Sequence, residues 1–151
     1  MMPDDAELCI TLGDQRTADA ASSYARSGIL RIGDLYLADV AEALHQHLDT
    51  GVEWGRTINQ GEKAWDLGPQ AIRAMAGGSE TDLIGAAHNA ARDGFQFLFD
   101  SLIVSDDPAE RSARGLLLDR VVAALNHPDS LATFRAITGE PRVRTVNGQA
   151  T

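Results

Sequence analysis

The sequence has 151 residues, of which 44% are hydrophobic, so the chain is long and apolar enough for one domain with an ordinary core. Acidic residues outnumber basic residues by 22 to 13, and the resulting net charge of −9 disfavours binding to nucleic acid or to anionic membrane surfaces. Cys9 is the only cysteine, which excludes an internal disulfide and a zinc site built from cysteines.

The amino-terminal residues show no targeting signal. Residues 1–7 are acidic and lack the basic and apolar regions of a signal peptide, and no stretch approaches the ~18 apolar residues that a membrane span needs. We therefore expect a cytoplasmic protein without a membrane partner. Residues 1–13 are expected to form a flexible terminus, and residues 14–151 a single domain.

The first third of the chain predicts two helices with a short strand between them. Residues 14–26 and 38–49 each show helical patterning and each end before a glycine. The apolar residues 29–32 precede a turn-forming Gly-Asp pair and predict the strand.

Residues 53–67 predict two strands joined by a short loop, because two tryptophans flank the turn-forming segment 59–61. A brief helix is then predicted from Pro69 to Gly77-Gly78. A further helix begins at Ser79, where Asp82 stands at capping-box spacing, and runs towards Gly94.

Residues 95–104 predict the strongest strand of the chain. Phe95, Phe97 and Phe99 alternate onto one face, and apolar residues also occupy the other face, which predicts a strand covered on both sides. We expect the phenylalanines to pack in the core. Asp107 and Pro108 next predict an N-cap and first turn, and one long helix is expected over residues 108–125.

The end of the chain predicts a helix, a break and a strand. Apolar side chains recur at every third position from Leu131 to Ile137, Gly139 stands where a helix would reverse, and Pro141 prevents its continuation. Residues 142–146 then show β patterning, with Asn147-Gly148 as a kink or bulge before the last three residues. Helices and strands thus mix throughout the sequence, which predicts the α+β class.

This last segment resembles a known family, the prolyl-hydroxylase-like branch of the Fe(II)- and 2-oxoglutarate-dependent oxygenases. In that family a helix ending in Thr-Gly leads into a core strand that carries Gln-Ala-Thr, as Thr138-Gly139 and residues 149–151 do here. Residues 58–67 match its Ile-Asn-x-Gly-x-Lys run followed by an aromatic residue and Asp-Leu, and residues 94–97 match its Gly-Phe-Gln-aromatic strand. The family's strand continues with Arg-Tyr, and a His-x-Asp iron-binding pair follows, whereas this sequence ends at Thr151.

The resemblance implies that the chain is the amino-terminal part of a 2-oxoglutarate oxygenase, with helices packed on an incomplete antiparallel sheet that begins a jelly roll. It implies Fe(II) and 2-oxoglutarate as cofactors of the complete enzyme, a protein or small molecule as hydroxylation substrate, and little binding of either cofactor by this chain alone. Gln149 and Thr151 alternate onto the face where the family's next residue, a tyrosine, points into the oxoglutarate pocket. They are therefore the expected cofactor-binding residues. One departure is Asn147-Gly148, where the family more often has Asp-Ala.

Other polar residues have simpler explanations than catalysis. His45 and His47 are two residues apart on a predicted helix and point in different directions, so they cannot share one metal ion. His127 is expected to flank the last helix. Arg142 and Arg144 could bind an anion, but solvation or pairing with Glu140 is preferred.

Two alternative functions stay open. The chain could be a non-catalytic α+β interaction module whose exposed terminal strand pairs with a partner or with a second copy, giving a homodimer. It could also be a metalloenzyme based on histidines, which would retain a metal ion in stoichiometric amounts.

Overall fold

The computed structural model describes residues 2–75 and 79–151. It is a mixed α+β structure, as the sequence predicts. In chain order, the described elements are α1 (Asp5–Leu8), α2 (Asp14–Ser27), α3 (Ala38–Thr50), β1 (Gly55–Gln60), β2 (Lys63–Leu67), α4 (Pro69–Ala74), α5 (Ser79–Ala90), β3 (Leu98–Ile103), α6 (Pro108–Arg114), α7 (Leu117–Leu125), α8 (Pro128–Thr138) and β4 (Gln149–Ala150). None of the helices in these two ranges is long and apolar enough to cross a membrane.

The chain divides into two compact units, and the expectation of one domain over residues 14–151 stays a prediction. One unit comprises Met1–Gly51 and Val104–Gly148, and the other comprises Val52–Ile103 and Gln149–Thr151. The first is helical and contains α1, α2, α3, α6, α7 and α8. The second contains all four described strands together with α4 and α5. Each unit is discontinuous in sequence, so no composition shift or linker in the chain marks the division.

The helical unit has its core where α1, α3 and α7 meet. Leu8, Val40, Leu117, Val121 and Ala124 form one cluster of buried side chains. The predicted helices α2, α3 and α8 are confirmed, and each ends at its expected glycine.

The amino-terminal segment differs from the flexible terminus that we expected for residues 1–13. Asp4 and Glu7 form a capping box that starts α1, and Leu8 and Ile10 are completely or almost completely buried. The Ile10 N–H donates a 2.8 Å hydrogen bond to the buried Ser130 Oγ. The segment therefore contributes side chains to the core, which the short apolar run of residues 8–10 after an acidic stretch did not reveal.

The predicted strand at residues 29–32 is wrong. These residues form no strand, and Ile29 is 79% exposed. Ser27 accounts for the difference, because its Oγ donates to the Ile29 carbonyl at 2.6 Å and accepts from the Ile29 N–H at 3.3 Å. A local side chain thus satisfies the backbone groups that a neighbouring strand would otherwise have to pair.

The predicted long helix over residues 108–125 is two helices, α6 and α7. Gly115 adopts a left-handed conformation with φ of 66°, which ends α6. Asp119 starts α7 by accepting a 3.0 Å hydrogen bond from the Leu116 N–H. The predicted cap at Asp107 is confirmed, since its Oδ1 accepts from the Ala109 N–H at 2.8 Å.

The predicted strand over residues 142–146 is also wrong, because β4 begins only at Gln149. Side chains of the helical unit hold this segment instead. Asn126 accepts from the Val146 N–H and donates to the Val146 carbonyl, both at 2.8 Å, and Arg135 donates to the Val143 carbonyl at 2.9 Å. These bonds occupy backbone groups that a sheet ladder would need.

Gly148 packs so closely against Val122 that a side chain there has no room. A Cβ atom at position 148 would collide with Val122 Cγ2 and would also contact Val104 at 3.7 Å. The glycine that we expected to kink or bulge the final strand is therefore a site of close packing between the last segment and α7.

We expect Gly148→Ala to lower the free energy of unfolding by about 1–3 kcal/mol, because the new methyl group must displace Val122. Urea denaturation followed by circular dichroism measures the loss. Val122→Ala should relieve the clash, so the double variant should lose less than the sum of the two single variants. Gly33→Ala is the matched control, since a Cβ there has nothing within 4 Å and Gly33 lies outside the helices. Strictly additive losses would contradict the packing argument.

The sheet of the second unit is antiparallel, with strand order β2-β1-β3-β4. The predicted hairpin is confirmed, with Ile58 opposite Trp65 and Gln60 opposite Lys63. The predicted helices at Pro69 and Ser79 are confirmed as α4 and α5. The predicted boundary between them at Gly77-Gly78 lies outside the described residues. The predicted capping box depends on the side chain of Ser79, which lies outside the described side chains.

The strand predicted over residues 95–104 is shorter and less covered than expected. It begins at Leu98, and Phe95 is 82% exposed, so the prediction that every phenylalanine packs in the core is wrong. Asn59 explains the late start, because its side chain accepts from the Phe97 N–H at 2.6 Å and donates to the Phe95 carbonyl at 3.0 Å. This side chain takes backbone groups that the strand would otherwise have used.

Candidate functional site

Strand register assigns the side chains of the sheet to two faces. Residues that lie directly opposite each other in an antiparallel pair point to the same side, and neighbours along a strand alternate. We call one side the front face. It carries Thr57, Asn59, Asp66, Phe97, Phe99, Ser101, Ile103 and Gln149.

The opposite side of the sheet faces α5. Ile58, Trp65 and Leu67 of the sheet and Leu83 and Ala87 of α5 line a cavity of about 380 Å³. The described residues that line it are largely aliphatic and aromatic, and no two of them are titratable. This side is the one that the helix covers, and its cavity has the size and lining of an apolar binding site without the groups that catalysis needs.

The front face has a chain of polar side chains running across three strands. Thr57 Oγ1 lies 2.6 Å from Asp66 Oδ1 and 2.8 Å from Ser101 Oγ. A carboxylate only accepts hydrogen bonds, so Thr57 must donate to Asp66 and accept from Ser101. Both hydroxyl residues are buried, whereas Asp66 is exposed. The buried hydroxyls therefore orient one exposed carboxylate.

Aromatic and aliphatic side chains lie beside this polar chain. The rings of Phe97 and Phe99 are 5.6 Å apart between centroids and tilted by 32°, and Phe95 extends the row at 6.1 Å from Phe97. Phe99 is 36% exposed and Ile103 is 46% exposed. Apolar side chains of this size normally pack against something, so the front face has the composition of a binding or packing surface.

The two residues that the resemblance predicts for cofactor binding lie at the open edge of this face. Gln149 pairs with Ile103 across β3 and β4 and is exposed. Thr151 follows one residue after the strand and is also exposed, and continuing the register would place it opposite Ser101. The structure thus gives both residues the same side of the sheet as the phenylalanines. Their binding of 2-oxoglutarate stays a prediction.

We predicted no functional role for Thr57 or Ser101 from the sequence, and Asp66 entered only as part of the family pattern. Alternation along residues 55–60 would have placed Thr57 and Asn59 on one face. Ser101 reaches Thr57 only because β1 pairs with β3 in one particular register, and these two residues are 44 positions apart in the sequence. No spacing rule within the sequence reports such a pairing.

The arginines near the chain end follow the simpler prediction. Arg142 forms a bidentate ion pair with Glu140, with distances of 2.8 and 2.7 Å. The hydrogen bond from Arg142 lowers the pKa of Glu140 and raises the pKa of Arg142. Arg144 is exposed, and residues 142–146 form no strand that could present either guanidinium at a pocket.

The histidines are placed as the sequence predicts. His45 is exposed on α3, His47 lies towards the core, and His127 caps α8 by accepting from the Asp129 N–H at 3.4 Å. Within the part of the chain that the structure describes, the buried Nε2 of His47 has no hydrogen-bond partner. Burial lowers the pKa of His47, and the nearby carboxylate of Asp119 opposes this shift. The folded chain therefore favours the neutral imidazole.

The described residues do not fit an iron centre. Over residues 2–75 and 79–151, no group of three or more His, Cys, Asp or Glu side chains comes together in a way that could hold a metal ion. Gln149 and Thr151 offer oxygen atoms but no carboxylate or imidazole. No step through iron can be assigned to residues of this chain.

Comparisons with known proteins identify no relative. No protein-family model matches the sequence, no curated protein matches it, and no solved structure matches the fold. Assignment to a family therefore depends on the motifs described above and on the geometry of the sheet.

Proposed function

We propose that the chain is the amino-terminal part of an Fe(II)/2-oxoglutarate-dependent dioxygenase of the prolyl-hydroxylase-like kind. In this proposal the sheet β2-β1-β3-β4 is part of one layer of a jelly roll, and the iron ligands belong to a longer chain. The enzyme would hydroxylate a protein side chain or a small molecule.

The observation that carries the proposal is the front face of the sheet. A sheet of a jelly roll packs one face against the second sheet of the roll, and helices can cover its other face. Here α5 covers one side, and Phe99 and Ile103 are partly exposed on the other. Gln149 joins the exposed side in register with Ile103. A second layer over the front face would enclose Gln149 and Thr151, which is where the resemblance expects a cofactor pocket.

The position of β4 supports the same proposal. It lies at the end of the strand order and pairs with β3 on one side through two residues, Gln149 and Ala150. No strand of residues 2–75 or 79–151 pairs with its other side. In the family that the motifs resemble, the strand carrying Gln-Ala-Thr continues and pairs within the barrel.

The first test is to read the natural gene beyond the codon for Thr151. The proposal expects Arg-Tyr and then a His-x-Asp pair shortly downstream. The longer chain should then decarboxylate 2-oxoglutarate when Fe(II) is supplied, and substituting the histidine of that pair by alanine should abolish turnover. A stop codon directly after Thr151, or a longer chain without turnover or iron binding, would overturn the proposal.

A second candidate function follows from the same open edge. If the chain is a non-catalytic interaction module, β4 would pair with the β4 of a second copy, because an edge strand offers unpaired N–H and C=O groups. Sizing chromatography of the 151-residue chain distinguishes the two functions. A stable dimer that Gln149→Pro dissociates would favour the module, since proline removes a ladder donor.

A further inference from the structure

The carboxylate of Asp66 differs from the other acidic groups of the sheet in being oriented but not neutralised. Asp100, on the opposite side, forms an ion pair with Arg56 at 3.0 Å. No basic side chain of residues 2–75 or 79–151 pairs with Asp66, whose one hydrogen bond comes from Thr57. The carboxylate therefore keeps both its charge and several free acceptor positions.

The hydroxyl chain restricts where this carboxylate can move. Thr57 donates to it at 2.6 Å and in turn accepts from Ser101, and both hydroxyl residues are buried within the sheet. An exposed aspartate normally loses rotamer freedom when it binds a cation, which reduces the gain from an ion pair. Here the hydrogen bond from Thr57 already restricts the Asp66 side chain, so Asp66 is preorganised to accept a hydrogen bond from a ligand in solution.

The surface beside Asp66 is aromatic. Phe99 lies opposite Thr57, two strands away from Asp66, which places the Asp66 and Phe99 backbones about 10 Å apart across the sheet. Phe97 adds a second ring at 5.6 Å from Phe99. Lysine and arginine side chains combine an aliphatic stem with a cationic head, and they can lay the stem on apolar surface while the head reaches a charge.

We propose that the front face binds an aliphatic cation of the lysine or arginine type, with its head at Asp66 and its stem along Phe97 and Phe99. The carboxylate supplies charge-assisted hydrogen bonds, and the rings supply apolar and cation–π contact. The binding itself does not depend on the oxygenase proposal. If the oxygenase proposal also holds, the site would select hydroxylation substrates that carry a basic side chain.

The probes are arginine amide and citrulline amide. Citrulline replaces the guanidinium by a neutral urea of nearly the same shape, so the pair isolates the charge. Lysine amide is the second cation and shows whether the site prefers an ammonium or a guanidinium. Each compound is titrated into the ¹⁵N-labelled 151-residue chain at low salt, and the amide resonances of Thr57, Asp66 and Phe99 are followed by NMR.

We expect saturable shifts at these resonances with arginine amide or lysine amide, and binding by citrulline amide that is at least about fivefold weaker than by arginine amide. Asp66→Asn should weaken cation binding by a similar factor, and it keeps an oxygen that can accept from Thr57, so the fold is preserved. Asp100→Asn removes the same charge from the opposite side and should leave binding unchanged.

Three results would overturn the inference: shifts that do not saturate with either cation, equal affinity for citrulline amide and arginine amide, or unchanged affinity in Asp66→Asn. Resonances of β1 and β3 distant from Asp66 report whether the sheet stays folded in each variant. Because the measurement uses binding by this chain alone, it can fail while the gene and turnover tests of the oxygenase succeed, and the reverse can also occur.

Discussion

Replacing Asp119 by alanine is expected to lower the free energy of unfolding by about 3–5 kcal/mol, the largest effect that we predict for a single substitution. Asp119 is only 2% exposed, and it forms a bidentate ion pair with Arg114. It also accepts from the Leu116 N–H at 3.0 Å, which starts α7. The substitution would remove the ion pair with Arg114 and the hydrogen bond that caps the first turn of α7.

Urea denaturation of the purified variant measures this loss. Asp107→Ala is the matched control, because Asp107 caps α6 from an exposed position and should cost only about 1 kcal/mol. Replacing both Asp119 and Arg114 by leucine should recover part of the stability, since an apolar pair can replace the packing of the ion pair but not the cap on Leu116. Equal losses for Asp119→Ala and Asp107→Ala would show that burial of the ion pair is energetically unimportant.

Leu8→Ala is expected to lower the free energy of unfolding by about 2–5 kcal/mol, the usual cost of truncating a fully buried leucine. Leu8 has no exposed surface, and it packs with Val40, Leu117 and Val121 in the core of the helical unit. The loss should appear as a lower urea midpoint with an unchanged slope, because the substitution removes packing without changing the surface exposed on unfolding.

Met2→Ala provides the control within the same segment, because Met2 is 60% exposed and its substitution should change stability by no more than about 0.5 kcal/mol. Amide exchange gives an independent measurement. The Ile10 N–H, which donates to the buried Ser130 Oγ, should be protected in the wild-type chain and lose protection in Leu8→Ala. An Ile10 amide that exchanges freely in the wild-type chain would support the flexible terminus that the sequence analysis expected.

The candidate site shows why strand pairing limits inference from sequence. The positions of Gln149 and Thr151 on one face followed from alternation alone, which is a local property. The link between Thr57 and Ser101 spans 44 positions in the chain, and it depends on the register of β1 against β3. A shift of one residue would have moved Ser101 to the helix-covered side.

The elements whose ends depend on local chemistry could be predicted from the sequence. Helices α2, α3 and α8 end at glycines, the Asp107 cap starts α6, and the segment after Ile58 turns at Gly61, because each of these signals acts within a few residues. The single cysteine likewise excludes an internal disulfide without reference to the fold.

Contacts between residues distant in sequence determine which apolar segments are buried and which backbone groups join the sheet. Leu8 is buried and Ile29 is exposed although both stand in short apolar contexts, because only Leu8 meets the helices of the core. Residues 142–146 show β patterning but form no strand, since the side chains of Asn126 and Arg135 hydrogen-bond to the backbone of this segment. Burial and hydrogen bonding are properties of residues distant in sequence, so no local pattern can determine them.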